Sequence, residues 1–144
     1  FCKKIIMPYP EEICVPMRED LTKVGFVELK TADQVSELLS KKQGSVLVMV
    51  NSVCGCAAGN ARPAVKLTTT FDKKVDVFAT VFAGQDTEAT AKAREYMLPY
   101  PPSSPSIAVF KDGNLIHFIE RHHIEGRSAE MIATNIKDCF DQHC

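Results

Sequence analysis

The chain has 144 residues, 45% hydrophobic and 24% charged, with 17 basic side chains against 18 acidic ones for a net charge of −1. That length and mix fit one globular domain that buries about 70% of its unfolded surface and needs no staples to fold. Even charge balance speaks against a binder of nucleic acid or anionic membrane, either of which ordinarily carries a basic excess. The longest apolar run, Val46 to Val50, is far short of the roughly 20 residues a bilayer span needs.

In chain order, Pro8, Pro10 and Pro16 leave residues 1–15 with no expectation of regular structure. Ile13, Met17, Leu21 and Val24 recur at near-helical spacing, which predicts an amphipathic helix with Pro16 in its first turn and an end near Gly25. Phe26 to Leu29 reads as a short strand. Thr31 with Gln34 three residues on is a capping box at the head of a helix whose apolar face is Val35, Leu38 and Leu39, and Gly44 closes that unit. Val46 to Val50 is β-branched-rich and unbroken, as in a strand buried on both faces. Cys54 to Thr70 reads as a helix begun by small residues and kinked or delayed at Pro63. Val77 to Phe82 is a second buried strand. Asp86 or Thr87 caps a helix carrying Ala89, Ala93, Tyr96 and Met97, and Pro99, Pro101, Pro102 and Pro105 stiffen the loop that follows. Asp112-Gly113, between Ile107–Phe110 and Leu115–Ile119, is a hairpin signal. Ser128 caps a last helix with Ile132, Ile136, Cys139 and Phe140 on one side. Helices alternating with strands and closing on a hairpin imply an α/β sandwich around a mixed sheet, as one domain over residues 1–144.

The six cysteines, at positions 2, 14, 54, 56, 139 and 144, make up about 4% of the chain, below the roughly 8–10% of a disulfide scaffold. With no secretory leader recognised, a reducing, cytoplasmic setting is expected, in which cysteines are redox-active, metal-binding or incidental. Cys54-Gly55-Cys56 follows a buried strand and opens a helix. Free N–H groups at a helix start stabilise an anion, so a thiolate there has a lowered pKa and attacks more readily near neutral pH. One intervening residue makes an internal disulfide ring tighter than in CxxC, and Gly55 relieves the restriction on the backbone. Strain left in such a bridge makes it easier to reduce and suits transient exchange. Cys54, nearest the helix end, is assigned as the attacking thiol. Cys56, further into the turn, is assigned as the resolving thiol that burial keeps protonated until needed.

Other readings of these residues stay open. The pair could be two buried thiols in a tight turn, or two thiolate ligands for Zn or Cu(I), although no second close Cys/His pair at ribbon spacing accompanies them. His122 and His123 are expected to point apart in a solvent-facing loop. His143-Cys144 could bind metal or exchange thiols, Cys139 fits core packing, and Cys2 and Cys14 are read as incidental.

The stretch Asn51-Ser52-Val53-Cys54-Gly55-Cys56-Ala57-Ala58-Gly59-Asn60-Ala61-Arg62-Pro63-Ala64 resembles the signature of the bacilliredoxins, thioredoxin-like proteins of bacillithiol-using bacteria. Val81–Asp86, Pro101–Ser106, His117–Ile119 and the ending Phe140–Cys144 are similar as well. The resemblance implies a thioredoxin-like three-layer sandwich with an extra N-terminal helix. It implies that Cys54 attacks mixed disulfides between bacillithiol and protein cysteines, that bacillithiol moves to Cys54 while the target leaves reduced, and that Cys56 resolves. Bacillithiol would be the thiol co-substrate, with no tightly bound cofactor or metal. The partners would be bacillithiolated proteins and a bacillithiol-disulfide reductase system, with no role for nucleic acid or membrane. Gly55, Ser104 and Pro105 would contact substrate, Pro105 matching the cis proline beside the active cysteines of thioredoxin folds. The chain departs from ordinary thioredoxin in having CxC for CxxC and no tryptophan. A broader disulfide isomerase or reductase, a thiolate metal-binding module and a non-catalytic interaction domain are the competing functions.

Overall fold

In the computed structural model residues 9–144 are described; Cys2 lies outside them. The chain runs α1 (Glu11–Thr22), β1 (Val27–Glu28), α2 (Ala32–Leu39), β2 (Ser45–Asn51), a π-helical turn (Ala57–Ala61), α3 (Arg62–Thr68), β3 (Val77–Phe82), α4 (Thr87–Tyr96), β4 (Ser106–Lys111), β5 (Asn114–Ile119), α5 (Arg121–Ile124) and α6 (Ala129–His143). The five strands form one mixed sheet in the order β1-β3-β2-β4-β5. β1, β3 and β2 are parallel, and β4 and β5 each run antiparallel to the neighbour before them.

Every residue of β2 is buried, so the unbroken apolar run marks the centre of the sheet. Its side chains alternate between two cores. Leu47 and Met49, with Ile107 and Val109 of β4, face Val65 of α3 and Ile132, Ile136 and Phe140 of α6. Val46, Val48 and Val50, with Ala108 and Phe110, face Val35 and Leu39 of α2 and Ala89 and Ala93 of α4. These are the three layers of the predicted α/β sandwich.

Local signals place the ends of several elements. The Thr31 capping box forms in both directions: Gln34 N–H donates to Thr31 Oγ1 at 3.1 Å, and Thr31 N–H to Gln34 Oε1 at 3.2 Å. Lys111 pairs with Asn114 across a two-residue turn, and both turn residues have positive φ, 51° at Asp112 and 84° at Gly113, the conformation a type I′ hairpin needs. The Asp112 side chain accepts from the Gly44 N–H (2.9 Å) and its own N–H donates to the Gly44 carbonyl (2.8 Å), which clasps the hairpin to the start of β2. Ser128 caps α6 by accepting from Met131 N–H.

The first helix departs from expectation. It starts at Glu11, inside the stretch expected to be irregular, with Pro10 at its N-cap and Pro16 within it. Pro16 is exposed, so its missing hydrogen bond leaves the Glu12 carbonyl to water. The buried face is Cys14, Arg18 and Leu21, while Ile13 is 47% exposed. The stripe is rotated by one position because an arginine is buried. Arg18, 6% exposed, donates to Glu11 (2.9 Å), Glu28 (2.9 Å) and Asp86 (2.6 Å), and its guanidinium lies 5.0 Å from the centre of the Phe82 ring. Burial works against its charge, and the bonds to Asp86, Glu28 and Glu11 more than offset it, so its pKa lies above the ordinary arginine value. Asp86 is the N-cap residue of α4 but makes no side-chain cap bond, its carboxylate being taken by Arg18.

Arg18 thus ties α1 to β1 and to the head of α4. Arg18→Met is expected to lower the unfolding free energy by about 2–4 kcal/mol, because three carboxylates are left together without their cation. Urea denaturation measures it, and an unchanged midpoint contradicts this account of α1.

Candidate active site

Cys54 ends the loop that leaves β2 and is where helical backbone begins. Its carbonyl accepts from the N–H groups of Ala57 (3.1 Å) and Ala58 (3.2 Å), and Gly55 and Cys56 are already helical. The chain then widens into the π-turn, where Arg62 N–H reaches back to the Ala57 carbonyl, before regular α-helix starts. Pro63 is the cause: it has no N–H for the preceding turn, and a wider turn takes up the mismatch.

The two sulfurs stand 3.0 Å apart in hydrogen-bond contact, against about 2.05 Å for a bonded pair. Both residues are half-buried, and their environments pull them apart. Burial pushes the Cys54 thiol up. Hydrogen bonds from the Cys56 thiol, the Ser52 hydroxyl and the backbone N–H groups of Ala57 and Cys56 outweigh it and hold Cys54 below the ordinary thiol range. Burial pushes Cys56 up, and the bond to Cys54 and the Cys54 charge act in the same direction. The two shifts thus run in opposite directions, Cys54 towards the thiolate and Cys56 towards the protonated thiol.

Beneath this turn lies a polar support absent from the sequence reading. Arg62, 5% exposed, donates through Nη1 to Asn51 Oδ1 and to the Ser52 carbonyl, each at 2.9 Å, and its Nε is 3.5 Å from Asp20 Oδ2 on α1. Asn51 Oδ1 also accepts from Ser52 N–H (2.9 Å), and Asn51 Nδ2 donates to the Met17 carbonyl (3.2 Å). Lys66 completes the cluster 2.7 Å from Asp20. The charge on Arg62, opposed by burial, is favoured by Asp20 and by a Cys54 thiolate. Asp20 is itself pushed up by burial, and Lys66 with the other cations brings it below the usual carboxylate range.

Ser104 shares with Cys54 a pocket of about 300 Å³. The Ser104-Pro105 peptide is cis, as is Leu98-Pro99. The Ser104 carbonyl accepts from Arg121 Nη1 (3.2 Å) and Ser103 Oγ from Arg121 N–H (2.7 Å), which ties the proline loop to α5. Both sulfurs, Cys54 foremost, act on Arg121 to hold its charge more firmly than usual. Gly55 has no positive φ, and nothing lies within 4 Å of where a Cβ would stand, so the dithiol form makes no demand for glycine there.

His122 and His123 do not point apart in a loop. They belong to the short helix α5 with ring centroids 4.0 Å apart, since consecutive helical residues diverge by only about 100°. With Glu120 they place three possible ligand atoms within 4.8 Å of one another; among the described residues no such group includes Cys54 or Cys56. Cys14 and Cys139 are buried and Cys144 is exposed. Burial, with the Cys144 charge, pushes Cys139 up to about 11, in keeping with its expected packing role.

Titration of alkylation by iodoacetamide, followed at each cysteine by mass spectrometry, is expected to modify Cys54 at lower pH than Cys56. Ser52→Ala should move the Cys54 profile upward; coincident profiles would contradict the described asymmetry. Gly55→Ala in the reduced protein should be neutral or stabilising by up to about 1 kcal/mol on helix propensity, read as thermal denaturation, and a marked loss would show a demand for glycine.

The model of the disulphide isomerase family matches residues 9–144. A bacilliredoxin of Cytophaga hutchinsonii is 58% identical over 93% of this chain and 98% of that protein, and one of Bacillus licheniformis is 50% identical over 94% and 95%. Among solved structures, the thioredoxin of Schistosoma mansoni aligns with a TM-score of 0.58 at 19% identity, covering 84% of this chain and 97% of that one. Fasciola hepatica thioredoxin aligns at 0.55 and 21%, covering 83% and 100%. The fold is thioredoxin-like, and the chain, carrying its paired thiols at a helix start, belongs to the bacilliredoxin family of thiol-disulfide oxidoreductases.

Proposed function

We propose that this oxidoreductase removes bacillithiol from mixed disulfides with protein cysteines, Cys54 attacking and Cys56 resolving. The observation that carries the division of labour is the sulfur pair itself, in contact at 3.0 Å with the first thiol shifted down and the second up. The Cys54 thiolate attacks the bacillithiol sulfur; a new disulfide joins Cys54 to bacillithiol as the target's thiolate leaves. Cys56, once deprotonated, attacks Cys54 and releases bacillithiol, leaving a Cys54–Cys56 disulfide. A lowered thiol pKa serves Cys54 in the first step, where it makes the thiolate available to attack; in the second step Cys54 is the sulfur attacked and bacillithiol is the leaving group. The bacillithiol part rests on the names of the relatives. Bacillithiol is then a co-substrate, a bacillithiol-disulfide reductase system returns the enzyme to its dithiol form, and the setting is cytoplasmic. No described helix is long and apolar enough to cross a membrane.

The family model's description favours a second reading, a broader disulfide isomerase. Turnover of one bacillithiolated protein against one scrambled-disulfide protein separates the two; the narrow reading expects a strong preference for the first, and equal turnover overturns it. Cys56→Ser exposed to the bacillithiolated protein should accumulate a bacillithiol adduct on Cys54, detected by mass, while Cys54→Ser should fall to background.

A further inference from the structure

We infer that the pocket beside Cys54 is a carboxylate-binding subsite, in which Arg94 and Arg121 receive the acid group of the small thiol that Cys54 takes over. This rests on the transfer reading above and names the chemistry of the group transferred. Arg94 stands in the last turn of α4, with its Nε shut away from solvent and without a hydrogen-bond partner among the described residues. No carboxylate of those residues lies within 4 Å of its guanidinium. A guanidinium withdrawn from water without a counter-charge is costly. The other arginines behave differently: Arg18 and Arg62 are both buried against carboxylates and acceptors.

The pocket places Arg94 and Arg121 on its walls with Ser52, Ser104 and Cys54, and no aspartate or glutamate lines it. In a chain of net charge −1 the lining thus carries two cations and no anion of its own, beside a sulfur whose pKa is shifted down, with Glu125 reaching Arg121 from outside the pocket. Arg94 keeps its donors, while Arg121 gives its Nε to Glu125 (3.0 Å) and its Nη1 to the Ser104 carbonyl (3.2 Å) and retains Nη2; the fork of Arg94, with Arg121 beside it, matches a carboxylate, which takes paired N–H bonds from an arginine. At about 300 Å³ the space suits a small molecule rather than a peptide. Anchoring the small thiol by its acid group would aim its sulfur, and not the protein's, at Cys54. Attack then forms the Cys54–small-thiol bond and expels the protein cysteine as thiolate, which takes a proton from water. One disulfide replaces another with no net oxidation. Cys56 subsequently displaces the small thiol, and two equivalents of a small thiol reduce the resulting Cys54–Cys56 disulfide while becoming a disulfide themselves.

The test compares one carrier protein bearing either mercaptosuccinate or 2-mercaptoethanol as its mixed disulfide. The wild type should prefer the acidic adduct by about tenfold or more in kcat/KM. Arg94→Gln and Arg121→Gln should each reduce that ratio several-fold, and Arg94→Lys should restore part of it; Arg121→Gln, on an exposed side chain, carries the comparison if Arg94→Gln does not fold. Alkylation of Cys54 supplies a readout that needs no turnover: the iodoacetate-to-iodoacetamide rate ratio, read at the Cys54 peptide, should fall in the same variants. Flat ratios in both assays overturn the subsite while leaving thiol transfer standing. Failure to turn over either adduct overturns the transfer reading, and the alkylation ratio then decides the subsite by itself. If the arginine-dependent preference follows glutamates placed beside the carrier's cysteine instead of the acid on the small thiol, the carboxylate belongs to the protein partner and the inference fails.

Discussion

A buried guanidinium under the reactive turn organises this molecule. Arg62 belongs to α3, its acceptors Asn51 and Ser52 to the end of β2, and its counter-ion Asp20 to α1. A charge withdrawn from water is tolerable only when its donors are satisfied, and satisfying them fixes three elements against one another. The loop so held carries the Ser52 hydroxyl and the Cys54 backbone into place. The chemistry at the sulfur follows from where this cation pulls the chain.

Two identical side chains, two residues apart, acquire opposite character there through helix geometry. Cys54 stands at the helix start, where the N–H groups of Cys56 and Ala57 lie close enough to its sulfur to favour the thiolate, Ala57 N–H also serving the Cys54 carbonyl. Cys56 lies one step into the turn, contributes its own S–H to its neighbour and feels that neighbour's charge. The π-turn that follows belongs to the same design, since Pro63 displaces the regular helix to Arg62 and so sets where the guanidinium enters.

Much of the scaffold was legible because its signals are local. The apolar run of β2, the Thr31 box and the Asp112-Gly113 turn each depend on a few adjacent residues and a single conformation, and each was found where expected. Cys54 and Cys56 were legible for the same reason. What could not be read was every pairing between distant segments. Arg18 looks like a solvent-facing residue of an amphipathic helix until Glu28 and Asp86 are brought beside it, and its burial rotated α1 away from the apolar stripe. Arg62 sits one residue before a proline in a small-residue helix, with nothing nearby to announce Asn51 or Asp20 as partners. Arg94 and Arg121 meet Cys54 through a sheet crossover and a hairpin, and residue spacing holds no record of that. The two histidines were misjudged by treating a single helical turn as extended chain.

The standing of α1 changes accordingly. It contributes no strand and could be mistaken for an ornament on a thioredoxin core. Yet it supplies the Asp20 carboxylate and the Met17 carbonyl that hold the support beneath the thiols. A minimal version trimmed to begin at β1 would retain the whole sheet, both cysteines and the cis proline, and would nonetheless have lost part of the catalyst. The segment ahead of the first strand is therefore part of the foundation of the site, since without it Arg62 lacks Asp20 and Asn51 lacks the Met17 carbonyl.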